Sequence, residues 1–263
     1  MSIASKRMTV FLVLIVFYFI VSLLFLVTSI NTWIAGSTIT HSLIQSVATV
    51  LAFFCGTSAL YRYYSGQSKS SMLLFAGVGF IATTLIDAYH TVVTASFFKA
   101  AYPLIPHSVA EWSWLSTRSF LALLFLMSLP GLFKQSPADG VSVKASKISP
   151  KVIYISVAIL TILNFLFFVT VRSPYPIYPD HLIARPLEIV AGVIFLFALI
   201  GYLVKGDWKT ERIAFWMVLF LITSVCEQFF YIGLSKHSMD AEYIGAHVMK
   251  IISYGMVYIA VSE

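Results

Sequence analysis

The segment Met8–Ile30, MTVFLVLIVFYFIVSLLFLVTSI, contains no charged residue. An α-helix needs about 20 mostly apolar residues to cross the hydrocarbon core of a bilayer, and this segment supplies them. It is too long for the apolar region of a signal peptide, and no small-residue cleavage site follows it. We therefore interpret it as a retained transmembrane helix.

The composition of the whole chain agrees with this interpretation. Of the 263 residues, 59% are hydrophobic and 11% are charged, whereas a soluble globular domain has about 45–50% apolar and about 25% charged residues. This excludes a soluble domain, and it excludes disorder, which requires low hydrophobicity and high charge. The apolar runs are also too long for a membrane β-barrel, whose strands alternate over about 10 residues. The chain is expected to be an integral, helical membrane protein in contact with the lipid bilayer.

Seven further stretches have the length and composition of transmembrane helices. We predict a single all-α domain over residues 1–263, a polytopic bundle of about eight membrane helices. The longest polar segment, Lys134 to Lys151, is expected to link two sets of four. The predicted spans are Met8–Ile30, His41–Tyr63, Met72–Phe97, Ala110–Phe133, Pro150–Arg172, Ile183–Val204, Ile213–Lys236 and Ala241–Ser262.

The basic residues predict how the bundle is oriented. With the N-terminus in the cytoplasm, eleven Lys and Arg residues fall in inner segments and four in outer segments, which follows the positive-inside rule. Eight spans then place both termini in the cytoplasm, in a multi-pass protein of the bacterial inner membrane. The net charge of +6 is explained by this orientation, so no nucleic-acid partner is expected. Cys55 and Cys226 lie mid-span, so no structural disulfide is expected.

Charged residues inside the spans are candidate functional residues, because they are costly in a bilayer and usually face the protein interior. Counted along the helices, every one of them falls in the predicted outer half of the membrane. The economical explanation is a polar pocket that opens toward the periplasmic side. The candidate ligand-binding residues are Asp87, His90, Trp114, Arg118, Glu188, Glu227, His247 and Lys250.

Helical spacing supports a shared pocket. Side chains three or four residues apart lie on one face of a helix, as Asp87 and His90 do, and His247 and Lys250. The other pairs with this spacing are Trp114 with Arg118, Arg185 with Glu188, and Glu227 with Tyr231, and the expected apolar walls are Trp112, Trp114, Tyr89 and Tyr254.

Three interpretations of this cluster remain open. It could be an ion-pair network that locks the bundle, because buried charges need partners. It could be a ligand pocket in which Arg118 or Lys250 binds an anionic or carbonyl group. It could also hold a metal ion or haem on His90 and His247 with Asp87, although Lys250 would repel a cation. The other histidines lie near outer helix ends, where solvated side chains are expected; His41 is the one best placed to join the pocket, and the rest are His107, His181 and His237.

Four polar motifs in apolar helices carry a resemblance. They are IDAYHTVVTASFF (Ile86 to Phe98), WSWLSTRSFLALL (Trp112 to Leu124), RPLEIVAGVIFLFALIGYLVKGDW (Arg185 to Trp208) and AHVMKIISYGMVY (Ala246 to Tyr258). From about His41 onward, the chain resembles the membrane-associated sensor (MASE-type) domains that precede histidine-kinase or diguanylate-cyclase modules. The resemblance implies a sensory role in two-component or cyclic-di-GMP signalling, and sensors of this kind commonly act as homodimers. These residues include no GGDEF motif and no kinase phospho-acceptor region, so an output module is expected beyond Glu263 or in a partner chain.

The leading functional prediction is a sensor domain that binds a small ligand or cofactor in the outer pocket and relays the signal through the last helix. The alternative is a metal- or haem-binding membrane oxidoreductase. Against an enzyme, the sequence lacks an HExxH motif, a CxxCH motif and a nucleophile elbow. A transporter would also need polar groups in the inner half of the spans, where the sequence places no charge.

Overall fold

A computed structural model describes residues 2–27, 37–66, 71–103, 106, 108–129, 149–170 and 174–262. Within these residues the chain is helical and has no strand. The helices are α1 (Ile3–Val27), α2 (Thr38–Tyr64), α3 (Ser71–Thr94), α4 (Ser96–Ala101), α5 (Ser108–Ser128), α6 (Pro150–Thr170), α7 (Pro186–Lys205), α8 (Arg212–Cys226) and α9 (Ala241–Ser262). The axis of α8 continues through a π-helical turn, Glu227–Tyr231, and a 3₁₀ turn, Ile232–Leu234.

The predicted polytopic helical bundle is confirmed. Seven of the described helices are long and apolar enough to cross a membrane. The eighth long helix, α5, has 21 residues, enough to span about 31 Å, but its polar residues lower its hydropathy. The first helix begins five residues before the predicted Met8, and the third ends at Thr94 rather than Phe97, because the chain bends at Ala95 and the short helix α4 begins at Ser96.

Six of the long helices form a closed ring. Going round the ring, α2 packs on α3, α3 on α5, α5 on α7, α7 on α8 and α8 on α9, and α9 packs back against α2. The other two long helices lie outside the ring: α1 packs on α8, and α6 packs on α3 and α5. These two helices bury the smallest share of their span, 17% for α1 and 22% for α6. Polar residues within the ring are therefore shielded from lipid by the ring helices themselves.

The start of α1 and the end of α9 lie at the same end of the bundle. Arg62, near the end of α2, donates a hydrogen bond to the carbonyl oxygen of Ala260, near the end of α9. Arg7, near the start of α1, donates to the carbonyl oxygen of Trp208, which lies between α7 and α8. An even number of crossings requires this arrangement. That this end faces the cytoplasm stays a prediction from the loop charges.

Glycine allows the backbones of α2 and α3 to approach closely. A Cβ atom on Gly56 would lie 2.8 Å from the backbone nitrogen of Ile81, and one on Gly77 would lie 2.7 Å from Cγ of Leu60. A larger side chain at Gly56 would thus collide with backbone rather than with a flexible side chain. This contact fixes the distance between the two helices that carry His41 and His90.

A layer of aromatic rings fills one half of the ring interior. Four phenylalanines are fully or almost fully buried there, and they contact one another, with the centroids of Phe125 and Phe220 4.7 Å apart. Each lies seven residues, about 10 Å along its helix, from a buried charged residue. The pairs are Phe80 with Asp87, Phe125 with Arg118, Phe195 with Glu188 and Phe220 with Glu227.

Candidate functional site

The eight candidate residues lie in one polar layer across the ring interior. All eight are buried, with Trp114 2% exposed and the others 0%. The layer lies next to the aromatic layer, on the side where α2 and α9 begin. The side chains come from four ring helices and from the π-helical turn after α8: Asp87 and His90 from α3, Trp114 and Arg118 from α5, Glu188 from α7, His247 and Lys250 from α9, and Glu227 from the turn.

Lys250 and Asp87 form an ion pair between α9 and α3. The Lys250 Nζ atom lies 2.6 Å from Oδ1 of Asp87. Asp87 also accepts longer hydrogen bonds from the amide of Gln45, at 3.4 Å, and from the hydroxyl of Tyr254, at 3.4 Å. Lys250 Nζ lies 4.9 Å from the centroid of the Trp114 ring, within cation–π range. Both charges of the pair are therefore compensated within the protein.

Arg118 and Glu227 form a second ion pair, between α5 and the π-helical turn. Nη2 of Arg118 lies 2.5 Å from Oε2 of Glu227 and 3.3 Å from the hydroxyl of Ser224. The guanidinium carbon of Arg118 lies 5.2 Å from the centroid of the Phe195 ring. Single π-helical turns inside α-helices often occur at functional sites, and this one turns Glu227 toward Arg118.

Glu188 is held by neutral donors. The hydroxyl of Tyr175 donates to Oε1 of Glu188 at 2.8 Å, and the Gln228 amide, in the orientation that satisfies its hydrogen bonds, donates to Oε2 at 3.0 Å. Burial, with the Glu188 carboxylate next to it, raises the pKa of Tyr175, so the phenol keeps its proton. Arg185, predicted to lie nearer the rim, is instead 1% exposed and donates to the carbonyl oxygen of Ser235.

Three buried histidines meet beside the Lys250–Asp87 pair. One ring nitrogen each from His41, His90 and His247 lies within 4.8 Å of the others. The Nε2 atoms of His41 and His247 are 3.0 Å apart, and the hydroxyl of Tyr243 lies 3.4 Å from Nε2 of His41. The Trp114 ring lies against His247, with centroids 4.0 Å apart. This triad is the one group of metal-binding side chains in the described part of the chain whose atoms lie close enough to hold an ion.

Two histidines of the triad are oriented by hydrogen bonds from their other ring nitrogen. Nδ1 of His247 lies 2.8 Å from the carbonyl oxygen of Tyr243. Nδ1 of His90 lies 2.7 Å from the hydroxyl of Ser113, which itself donates to the carbonyl oxygen of Ala110. Nδ1 of His41 and Nε2 of His90 have no hydrogen-bond partner among the described residues.

Asp240 caps the helix that carries His247. Its Oδ1 atom accepts a hydrogen bond from the backbone nitrogen of Tyr243 at 2.8 Å, and its Oδ2 atom accepts from the backbone nitrogens of Lys236 and His237. The residue before it, Met239, has φ 74°, which L-residues rarely adopt. The turn therefore starts α9 abruptly and fixes the position of its first two turns, where Tyr243 and His247 lie.

Several sequence expectations about neighbouring residues were wrong. Tyr89 does not face the polar layer but packs on Phe168 of α6. Trp112 lies only at the edge of the layer, where it packs between Phe167 of α6 and Tyr175. Glu227 and Tyr231 have different partners: Glu227 pairs with Arg118 across the ring. Tyr231 instead contacts α1, where its hydroxyl donates to the carbonyl oxygen of Tyr18.

Asp87, proposed from sequence as a metal ligand with His90 and His247, contacts Lys250 and lies outside the metal-binding group, which contains His41 in its place. His181 and His237 are exposed, and His107 lies outside the described residues. Sequence reasoning also left four contributors to the layer unassigned: Gln45, Ser113, Tyr175 and Tyr243. Of these, Gln45 had a readable signal, because it lies four residues after His41 on an otherwise apolar helix.

The comparisons with known proteins agree with this architecture. A model of the MASE3 family, described as a membrane-associated sensor domain, matches residues 38–263. The chain belongs to this family. The MASE3 match includes every helix of the ring and begins after α1. Neither the curated proteins nor the solved structures yield a match. The chain is thus a multi-pass membrane protein that contains a sensor domain.

Proposed function

We propose that this MASE3 chain detects a small ligand or ion in the polar layer, in the outer half of the bacterial inner membrane, and relays its presence through α9 to a cytoplasmic output. The observation that carries the proposal is the placement of α9. This helix contributes Tyr243, His247 and Lys250 to the layer and continues without a break to Ser262, at the opposite end of the bundle.

The ion pair between Lys250 and Asp87 supplies a coupling between the site and α9. A ligand shifts a conformational equilibrium only by its difference in affinity for the two states. A charged or polar ligand beside Lys250 changes the strength of the α9–α3 ion pair, and the remaining twelve residues, about 18 Å of helix, transmit a rotation or shift. The output partner we propose is a histidine kinase or diguanylate cyclase module, and two copies of the chain would pair to regulate it.

The ring interior supports a sensor over a transporter. Below the polar layer, Phe80, Phe125 and Phe220 are fully or almost fully buried and in mutual contact. A transported solute would have to displace these rings to pass. A signal that travels as a helix movement needs no such path.

The test is a fusion of the full chain, in frame after Glu263, to a kinase or cyclase module of measurable activity. Asp87→Asn and Lys250→Met each leave one buried charge without its partner. We expect either variant to change the basal output about tenfold or more, since about 1.4 kcal/mol shifts a two-state equilibrium tenfold and an unpaired buried charge costs about 3–5 kcal/mol.

Matched controls are Asp180→Asn and Lys236→Met, the same chemical changes at exposed residues. They should leave the output unchanged. If Asp87→Asn and Lys250→Met accumulate normally in the membrane and give the wild-type output, α9 does not read the polar layer and the proposal fails.

A further inference from the structure

The histidine triad leaves one of its candidate ligand nitrogens, Nε2 of His90, without a hydrogen-bond partner among the described residues. Asp87 is paired with Lys250 and Arg118 with Glu227. In the second pair, Nε and Nη1 of Arg118 and Oε1 of Glu227 have no hydrogen-bond partner among the described residues, and in the triad the same holds for the buried Nε2 of His90. Buried polar atoms are nearly always hydrogen-bonded, and an exception calls for an explanation, such as a bound ion or water.

Hydrogen bonds determine which nitrogens of the triad carry protons. A carbonyl oxygen only accepts, so Nδ1 of His247 donates to Tyr243, and its Nε2 carries a lone pair that faces Nε2 of His41 at 3.0 Å. The hydroxyl of Ser113 gives its single proton to the carbonyl of Ala110, so Nδ1 of His90 is a donor as well. Neutral His90 and His247 thus both direct an Nε2 lone pair toward the middle of the triad. Metal-binding histidines are held in this way, with the second nitrogen donating to a backbone or side-chain oxygen.

We infer that His41, His90 and His247 bind a divalent late first-row transition-metal ion, Zn²⁺ or Cu²⁺, and that this ion is the stimulus. The second part rests on the proposed function. Imidazole suits these ions, and three histidines leave a fourth position for water. The hydroxyl of Tyr243, 3.4 Å from Nε2 of His41, can hydrogen-bond to such a water.

The spacing of the ring nitrogens fits an ion with small adjustments. Nitrogen ligands lie about 2.0–2.1 Å from Zn²⁺, hence roughly 3.4 Å from one another in a tetrahedral site. The Nε2 atoms of His41 and His247 lie 3.0 Å apart, and all three ligand nitrogens lie within 4.8 Å of each other. Haem between His90 and His247 does not fit: their ring centroids are 6.3 Å apart, but the ring of His41 lies 5.4 Å from the one and 4.6 Å from the other and leaves no gap for a macrocycle.

The surrounding charges offset a bound cation. Lys250, a cation that would repel it, is neutralised by Asp87 at 2.6 Å. Among the buried residues that the structure describes, five carboxylates face three Lys and Arg side chains. Two of these carboxylates, Asp240 and Glu242, stand at the start of α9, the helix that carries His247. Buried carboxylates thus outnumber buried basic side chains among the described residues.

A cavity lies near His90 at the outer end of the bundle. This cavity of about 180 Å³ lies between the end of α3 and the start of α5, lined by Val93, Lys99, Pro103, Ala110 and neighbouring residues. Ala110 accepts the hydrogen bond from Ser113, which holds His90. Two hydrogen bonds, both made by the Ser113 hydroxyl, therefore connect the cavity wall to the triad.

The experiment uses the full chain, purified in detergent, stripped with a chelator and titrated with Co²⁺, Zn²⁺ and Cu²⁺ in turn. We expect one ion per chain, with visible ligand-field bands from four-coordinate Co²⁺ that Zn²⁺ removes. His90→Ala and His247→Ala should each weaken binding by more than about 100-fold, since even an outer-shell partner of a ligand is worth about 10–100-fold. The matched controls His181→Ala and His237→Ala, at exposed histidines, should bind as the wild type does.

A second variant separates loss of a ligand from loss of structure. His90→Cys places a thiolate in the proposed site, and its Co²⁺ complex should gain a sulfur-to-cobalt charge-transfer band that the wild type lacks. The inference is overturned if the wild type binds no stoichiometric ion, or if His181→Ala and His237→Ala remove the binding. If no ion binds while the fused output still responds to Asp87→Asn, the inference fails and the proposed function stands. If the ion binds and the fused output ignores it, the metal site stands and the sensory role fails.

Discussion

The Nζ atom of Lys250 lies 2.6 Å from Oδ1 of Asp87, so α9 and α3 are joined by a fully buried ion pair. These two helices are not direct neighbours in the ring, because they pack on opposite sides of α2. The second pair, between Arg118 and Glu227, likewise joins elements on either side of α7. Each ion pair therefore connects two elements across the ring that do not pack directly on each other.

Removing one partner of the α9–α3 ion pair should lower the stability of the protein more than replacing both partners. Lys250→Met leaves Asp87 charged and unpaired, which we expect to cost about 3–5 kcal/mol of stability, whereas replacing both partners with apolar groups of similar size is often close to neutral. The double variant Asp87→Leu with Lys250→Met should thus be more stable than either single variant. Thermal unfolding of the purified proteins in detergent measures this difference.

Lys236→Met is the control for the loss of a lysine, because Lys236 is exposed and its removal should leave the unfolding temperature unchanged. The prediction is contradicted if the destabilisation of the double variant equals the sum of the two single effects, since additivity means that the two groups do not interact.

Gly56→Val should separate α2 from α3. The new side chain would start from a Cβ atom 2.8 Å from the backbone nitrogen of Ile81, so one helix has to move. Because the two helices carry His41 and His90, we expect both a lower unfolding temperature and weaker Co²⁺ binding. Gly255→Val is the control, since no atom lies within 4 Å of a Cβ there. Equal behaviour of the two variants would show that the close approach has no structural importance.

The position of the polar layer could be predicted from the sequence, for a physical reason. Charges are costly in hydrocarbon, so depth along each helix locates them without knowledge of the packing. The same counting would have found the aromatic layer, because Phe80, Phe125, Phe195 and Phe220 each lie seven residues from a charged member of the polar layer. His41 was harder to assign, because a histidine near a helix end is usually solvated, and only the neighbouring Gln45 indicated a buried face.

Rotation about the helix axes could not be predicted in the same way. Trp112 and Trp114 are two residues apart, and although the spacing to Arg118 places Trp114 on the polar face, it does not say what Trp112 contacts. The structure turns Trp112 toward the phenylalanines of α6 and Trp114 toward His247. The π-helical turn after Cys226 is likewise unmarked in the sequence, and it changes the direction of every side chain from Glu227 onward.

Asp240→Ala should loosen the start of α9. The carboxylate accepts hydrogen bonds from three backbone nitrogens, and loss of a helix-capping side chain costs about 0.5–2 kcal/mol. We expect faster hydrogen–deuterium exchange in the first turns of α9, including Tyr243, with exchange at Val257 unchanged. Asp240→Asn keeps one acceptor oxygen and should show a smaller effect. Exchange at wild-type rates in Asp240→Ala would mean that packing alone defines this helix start.

Ser113→Ala tests whether the histidine triad is a metal site or a packed cluster. The variant removes the oxygen that accepts the proton of His90 Nδ1, so the imidazole loses the contact that fixes its tautomer. In a metal site, such outer-shell losses lower affinity about 10–100-fold, and Co²⁺ titration should show this with little change in unfolding temperature. Ser116→Ala on the same helix is the control, because Ser116 donates to Asn164 of α6 and lies away from the triad. If both serine variants bind Co²⁺ equally well, His90 is not oriented for an ion, and the hydrogen bond to Ser113 serves packing only.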